Sequence, residues 1–122
     1  MSNNIRVGKV SSIDYEKGMI KVVYADKDDS VTNDLPFLTF NGEYKMPNID
    51  DMVLVLHLSN GSAMGITMGT FWNDKNKPGE SKKGLYRKEF GPIHGEAYMR
   101  YDTDTKTLTI KADTIQLLQK TE

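Results

Sequence analysis

The apolar residues of this chain lie in short runs that end at turns rich in glycine, proline and aspartate. No segment shows a helical period over three turns, whereas several runs alternate apolar and polar residues as half-buried strands do. The clearest pair of runs is 5–13 and 19–24, and Gly18 between them can adopt the positive φ of a tight hairpin turn. The pattern predicts an all-β fold of short strands that begins with a hairpin.

Residues 1–72 are predicted to form the first unit. The run 35–40 contains a proline, which suits the edge or the start of a strand, and 52–58 is almost continuously apolar, which indicates a strand buried on both faces. Gly65 and Gly69 are spaced four apart in a strand-like run, as at the corners of barrels. Five short strands with glycine corners favour a small closed barrel of the OB-fold type over a sandwich.

The rest of the chain changes character. Residues 73–84 are polar and contain Pro78 and Gly79, which indicates a linker. The last 38 residues, 85–122, hold four short β-prone pieces. An isolated unit below about 40 residues generally needs disulfides, a metal or a partner to be stable. Since neither cysteines nor an evident metal site are present, we expect 85–122 to be ordered by association with other chains.

Composition narrows the class of protein. The chain has no cysteine, which excludes disulfides, cysteine-ligated metals and cysteine nucleophiles. The longest uninterrupted apolar run, 52–56, has five residues, far fewer than the roughly 18–20 that a membrane-spanning helix needs. The N-terminus carries no apolar signal region, so classical secretion is not expected.

Binding of single-stranded nucleic acid is the main alternative function, because OB barrels often perform it. The charge balance argues against it: the whole chain has a net charge of −1, and residues 1–80 carry 8 Lys/Arg against 11 Asp/Glu, whereas a groove that follows phosphates should be positive. Candidate stacking platforms are nevertheless present. They are Tyr15, Tyr24, Phe37, Phe40 and Tyr44.

The two histidines fall in different units and neither has a second histidine at a chelating spacing. We expect His57, on a strand, to be structural. His94 lies in a turn with proline and glycine, where a turn role is favoured and a place on a trimer axis or at an ion is the alternative. The sequence therefore predicts no metal-binding residue.

The remaining polar residues and glycines match no known catalytic or ligand-binding motif. Asp26, Asp28 and Asp29 lack the glycine and the terminal glutamate of a calcium loop, so they indicate a solvated loop. No Gly-x-Ser-x-Gly elbow and no phosphate-binding Gly-Lys-Ser/Thr loop occurs. We expect no catalytic residue, no cofactor and no enzymatic activity.

The order of these features resembles that of a known family. A small barrel opens with 5–10 and closes with 52–56 and 65–71, and a linker with Lys77-Pro78-Gly79 follows. The tail then presents 86–90, 99–102 and 107–110. In this order, over nearly the whole chain, the sequence resembles the baseplate assembly protein V family, the central spikes of contractile phage tails and tail-like particles.

The resemblance implies a homotrimer. Three OB-fold barrels would surround a threefold axis, and three copies of 85–122 would wind into an intertwined β-helix or β-prism needle. Four apolar residues of the tail would then pack at the axis: Leu108, Ile110, Ile115 and Leu117.

The implied function is mechanical. The barrels would plug the end of the tail tube through contacts with baseplate hub and tail tube proteins. The needle would lead through the target cell envelope when the sheath contracts, with only transient membrane contact. The chain would be made in the bacterial cytoplasm and assembled into a virion, a tail-like bacteriocin or a domesticated device. A scaffold that leaves the finished particle is a further reading.

One feature departs from the family. Longer relatives carry a His-x-His iron site at a sharpened apex, whereas this chain ends Leu117-Leu118-Gln119-Lys120-Thr121-Glu122 without such a pair. The needle is therefore expected either to end bluntly or to be capped by a separate protein.

Overall fold

The computed structural model describes residues 4–58 and 64–121. Over these residues the chain is all-β, as the sequence predicts, with nine strands in two antiparallel sheets and no α-helix. The chain divides into two compact units, Met1–Asn76 and Lys77–Glu122. This boundary lies within the segment 73–84 that the sequence predicts as a linker. The turn predicted at 59–62 lies outside the described residues.

The first unit is built on one sheet whose ends are joined by a short connecting segment. The strand order is β3-β2-β1-β5-β6, and β4 pairs with the start of β2 along the same edge that β3 pairs with at its end. Directly after β4, Phe37 bridges Thr67 of β6, and Leu38 N–H donates to the Thr67 carbonyl. The sheet therefore closes on itself. The strands are β1 (Ile5–Asp14), β2 (Met19–Tyr24), β3 (Ser30–Val31), β4 (Leu35–Pro36), β5 (Met52–His57) and β6 (Gly65–Thr70).

The predicted hairpin is confirmed, because β1 and β2 form an antiparallel pair that runs from Asp14↔Met19 beside the turn to Lys9↔Val23. Gly18 has a φ of 67°, and Asp14 accepts a hydrogen bond from the Lys17 backbone within the turn. Aspartate is a common turn residue because its side chain accepts hydrogen bonds from nearby backbone N–H groups. Glycine is common in turns because it adopts a positive φ without steric cost.

Alternate residues of β1, β2 and β5 point into the ring and form its core. Burying a Val or Ile side chain stabilises a fold by about 1.5–3 kcal/mol. Outward-facing Met52, Leu54 and Leu56 are only half-buried, so the prediction that 52–58 is buried on both faces is wrong. The reason is that β5 lies in a curved sheet with a single inner face. The buried apolar residues are Val10, Ile20, Val22, Tyr24, Leu35, Val53 and Val55.

Gly8 allows β2 to pack closely against β1. It occupies an inward position between Arg6 and Val10, where a Cβ atom would lie 2.4 Å from Val22 Cγ1 and 2.8 Å from the Tyr24 ring. Contacts this short cannot be relieved without moving core side chains.

The second unit contains a three-stranded meander, β7 (Leu85–Glu89), β8 (Tyr98–Asp102) and β9 (Thr107–Lys111). The sequence also predicts a β-prone piece at 114–119. In the structure residues 114–121 belong to no strand of this chain.

Replacing Gly8 by alanine should lower the free energy of unfolding by about 1–3 kcal/mol, because the added Cβ overpacks the core. Chemical denaturation followed by circular dichroism measures the change. Gly91→Ala is the control, since a Cβ there meets nothing within 4 Å. A Gly8→Ala chain as stable as the control would contradict the close approach of β1 and β2.

Candidate assembly surface

The strand register sorts the side chains of the second unit onto two faces. Across the three strands Tyr86 lies opposite Tyr101, which lies opposite Leu108. In the next row on the same face Lys88 lies opposite Met99, which lies opposite Ile110. We call this the apolar face, and its apolar members are Tyr86, Met99, Tyr101, Leu108 and Ile110.

The apolar face is largely uncovered within this chain. Leu108 is 59% exposed, Ile110 is 51% exposed and Tyr86 is 55% exposed. Among the described residues of Lys77–Glu122 no hydrophobic side chain is classed as buried. The sheet therefore has hydrogen-bonded strands but lacks a hydrophobic core of its own.

The C-terminal tail adds further exposed apolar groups. Ile115 is exposed, and Leu117 is 92% exposed. Residues 114–121 make no backbone hydrogen bond to the rest of the described chain. A segment with unpaired backbone groups and apolar side chains can add, in an extended conformation, as a strand to another sheet edge.

The four residues predicted to pack at the trimer axis thus have two different settings. Leu108 and Ile110 lie together on the apolar face, whereas Ile115 and Leu117 lie on the tail beyond the last strand. Sequence reasoning missed Tyr86 and the two β8 residues of this face, Met99 and Tyr101. Alternation along each strand hints at them, but only the cross-strand register places them beside Leu108 and Ile110.

The opposite side of the sheet is ionic. We call it the charged face, formed by Arg87, Glu89, Tyr98, Arg100 and Asp102. Arg87 and Arg100 are direct cross-strand partners, an arrangement that is destabilising for like charges unless anions lie between them. Arg87 donates to Glu89, and its guanidinium carbon lies 3.7 Å from the centre of the Tyr98 ring.

A second carboxylate between Arg87 and Arg100, besides Glu89, comes from residues 80–84, which we call the strap. Glu80 Oε1 accepts hydrogen bonds from Arg87 Nη1 at 2.9 Å and from Arg100 Nε at 2.9 Å, and Glu80 Oε2 accepts from Arg100 Nη2 at 2.6 Å. Lys82 Nζ lies 2.8 Å from Asp102 Oδ2. Part of the segment predicted as a linker is therefore held against the sheet.

These contacts shift the pKa values of the carboxyl groups downward. The hydrogen bond from Arg100 lowers the pKa of Glu80, that from Arg87 lowers the pKa of Glu89, and that from Lys82 lowers the pKa of Asp102. All three therefore stay ionised at neutral pH.

His57 lies in the interior of the first unit. The Tyr24 hydroxyl oxygen is 2.6 Å from His57 Nε2, and the Arg6 guanidinium carbon lies 4.3 Å from the centre of the Tyr24 ring. Arg6 in turn pairs with Asp26 at 2.9 Å. This setting is that of a packed, hydrogen-bonded side chain. His94 is exposed in the turn between β7 and β8.

The aromatic residues considered for nucleic-acid stacking are distributed unevenly. Tyr24 is buried and Phe37 is half-buried against the core, so neither offers an open ring. Tyr15, Phe40 and Tyr44 are exposed, and the Tyr44 hydroxyl donates to the Tyr15 carbonyl.

The described ranges contain neither a cluster of metal-ligating side chains nor a helix that could span a membrane. No group of three or more His, Asp or Glu side chains there is placed to hold a metal ion. No helix among the same residues is long and apolar enough to cross a membrane.

The ion pairs of the charged face should respond to pH only in acid. A carboxyl group with a depressed folded-state pKa contributes stability that is complete above its ordinary value and is lost as the pH falls through the folded-state value. The ordinary pKa is 4.5 for Glu80 and 3.8 for Asp102. Amide exchange in β7 and β8, corrected for intrinsic rates, should be constant from pH 7 to pH ~5 and rise only below pH ~4. A rise between pH ~7 and ~5 would contradict this ionic assignment.

No protein-family model matches the chain, and no curated protein sequence matches it. The resemblance to baseplate spikes therefore stays a prediction.

Proposed function

We propose that this chain is the structural subunit of a homotrimeric spike in a contractile tail baseplate or tail-like particle. The first unit would be an OB-fold barrel, and the second would join two other copies in an intertwined β-helix or β-prism. The observation that carries the proposal is the second unit itself, a sheet with an uncovered apolar face and a tail outside the sheet with exposed leucines.

Other copies of the chain are the natural cover for this face. A unit of this size seldom supplies enough buried apolar area to fold alone. A cyclic arrangement lets each copy cover a neighbour's face while its own is covered in turn. Strands β7 and β9 are the two edges of the sheet, and the tail 114–121 has unpaired backbone groups to offer such an edge.

The first unit supports the OB-fold part of the proposal through its connectivity. Five-stranded barrels of this kind close by pairing strands distant in the chain. Here the segment with β4 and Phe37 joins β2 to β6.

The role would be structural rather than enzymatic. The barrels would seat the spike on baseplate hub and tail tube proteins, and the needle would lead penetration of the target envelope. Stiffness of a three-chain β structure, in which each layer supports the next, is the property required. The tip would end bluntly or carry a separate capping protein. Assembly into the particle would follow synthesis in the bacterial cytoplasm.

Binding of single-stranded nucleic acid is the second candidate. The exposed rings of Tyr15, Phe40 and Tyr44 favour it, since bases stack on exposed aromatic faces. The excess of acidic residues over residues 1–80 opposes it. Nothing in that candidate explains the uncovered apolar face of the second unit, so the spike is preferred.

Replacing both Leu108 and Ile110 by glutamine should dissociate the assembly into single chains. Each apolar side chain buried in an interface contributes about 1.5–3 kcal/mol per copy, and polar replacements lose this term. Size-exclusion chromatography with light scattering measures the outcome. Ile93→Gln is the matched control, because Ile93 is equally exposed but lies in a turn outside the sheet. A double variant that keeps the mass of the unaltered assembly would contradict the proposed surface.

A further inference from the structure

The segment between the two units is much shorter in the structure than in the sequence-based prediction. At its start, Asn73 and Asn76 exchange two backbone hydrogen bonds of 3.0 Å, and both side-chain amides donate to the Phe71 carbonyl. Residues 73–76 therefore form a closed turn within the first unit.

The end of the same segment is fixed to the second unit at three points. Glu80 lies between Arg87 and Arg100 with three hydrogen bonds, as described above. Lys82 pairs with Asp102, and the Gly84 carbonyl accepts from Thr103 N–H at 3.1 Å and from Thr103 Oγ1 at 2.7 Å. The strap is thus bound along its length.

Within the segment 73–84, residues 77–79 are the longest stretch that makes no hydrogen bond or ion pair with the described part of the chain, although a Cβ atom at Gly79 would lie 3.2 Å from His94 Nδ1. Three residues span at most about 10 Å, whereas the twelve residues 73–84 would span about 40 Å if all were free. The freedom of a flexible tether grows with its length. Fixing the strap therefore shortens the part of this segment that is free of hydrogen bonds and ion pairs.

We propose that Glu80 is a latch: by bridging Arg87 and Arg100 it pins the strap to the charged face and keeps the tether between the units three residues long. Glu80 is the key group because it makes three of the strap's bonds and separates two like charges. The lowered pKa of Glu80, caused first by Arg100, agrees with a carboxylate that stays ionised there. The latch does not rest on the proposed spike function.

Limited trypsin digestion of the full chain tests the latch. Cleavage after Lys82 and Lys83 requires the strap to open, since proteolysis reports the population of opened states. Glu80→Gln should speed cleavage at these two sites about threefold to tenfold, because a neutral amide loses the charge-assisted bonds. Glu96→Gln removes the same charge from an exposed turn of the same unit and should leave the rates unchanged.

The pattern of cleavage separates a latch from general stability. In the Glu80→Gln chain, cleavage after Arg87, Lys88 and Arg100 within the sheet should rise less than cleavage after Lys82 and Lys83, because Glu89 still pairs with Arg87 and Asp102 still lies beside Arg100. Equal rates after Lys82 and Lys83 in the two glutamine variants would overturn the proposal. An equal acceleration at the sites within the sheet would also overturn it, since Glu80 would then hold the sheet together rather than the strap.

A double-mutant cycle checks that the effect passes through Arg100. Arg100→Gln should release the strap as Glu80→Gln does, and combining the two should add little more. Fully additive effects would overturn the proposed bridge. Light scattering on the same samples reports the oligomeric state independently, so a monomeric chain with a working latch would reject the spike alone.

Discussion

In the second unit, the side chains on one face of the sheet are paired within the chain, whereas the side chains on the other face are left uncovered. On the charged face, Glu80, Glu89 and Asp102 neutralise Arg87, Arg100 and Lys82. On the apolar face, no described part of the same unit covers Leu108 or Ile110. Because exposed apolar area of this kind costs free energy, it favours a partner that packs against that face.

The first unit has the opposite character. Its inward residues are fully buried around Val10, Val22 and Val55, and its sheet is closed by the segment after β4. Of its buried polar side chains, His57 has Tyr24 as a hydrogen-bond partner and Thr32 accepts from the Val22 backbone N–H. The two units therefore differ: the first has its own core, and the second has an apolar face without one. The proposed spike of three copies would use both properties, with the first units carrying a needle shared by the second units.

Local patterns in the sequence predicted the features that depend on local physics. Gly18 marked the hairpin, and alternation along 107–111 marked Leu108 and Ile110 as one face. Features that depend on distant pairing could not be predicted. The strap is one example, because nothing near Glu80 in the sequence indicates that two arginines from different strands will meet its carboxylate. The apolar run 52–56 is another, since burial on one face or two depends on what packs outside the sheet.

In the proposed spike, copies of this chain cover one another's second unit. Sedimentation equilibrium of the unaltered chain at micromolar concentration tests this directly, because it gives mass without an assumption about shape. We expect a single species of three times 13.8 kDa. A single species of 13.8 kDa across the concentration range would contradict it.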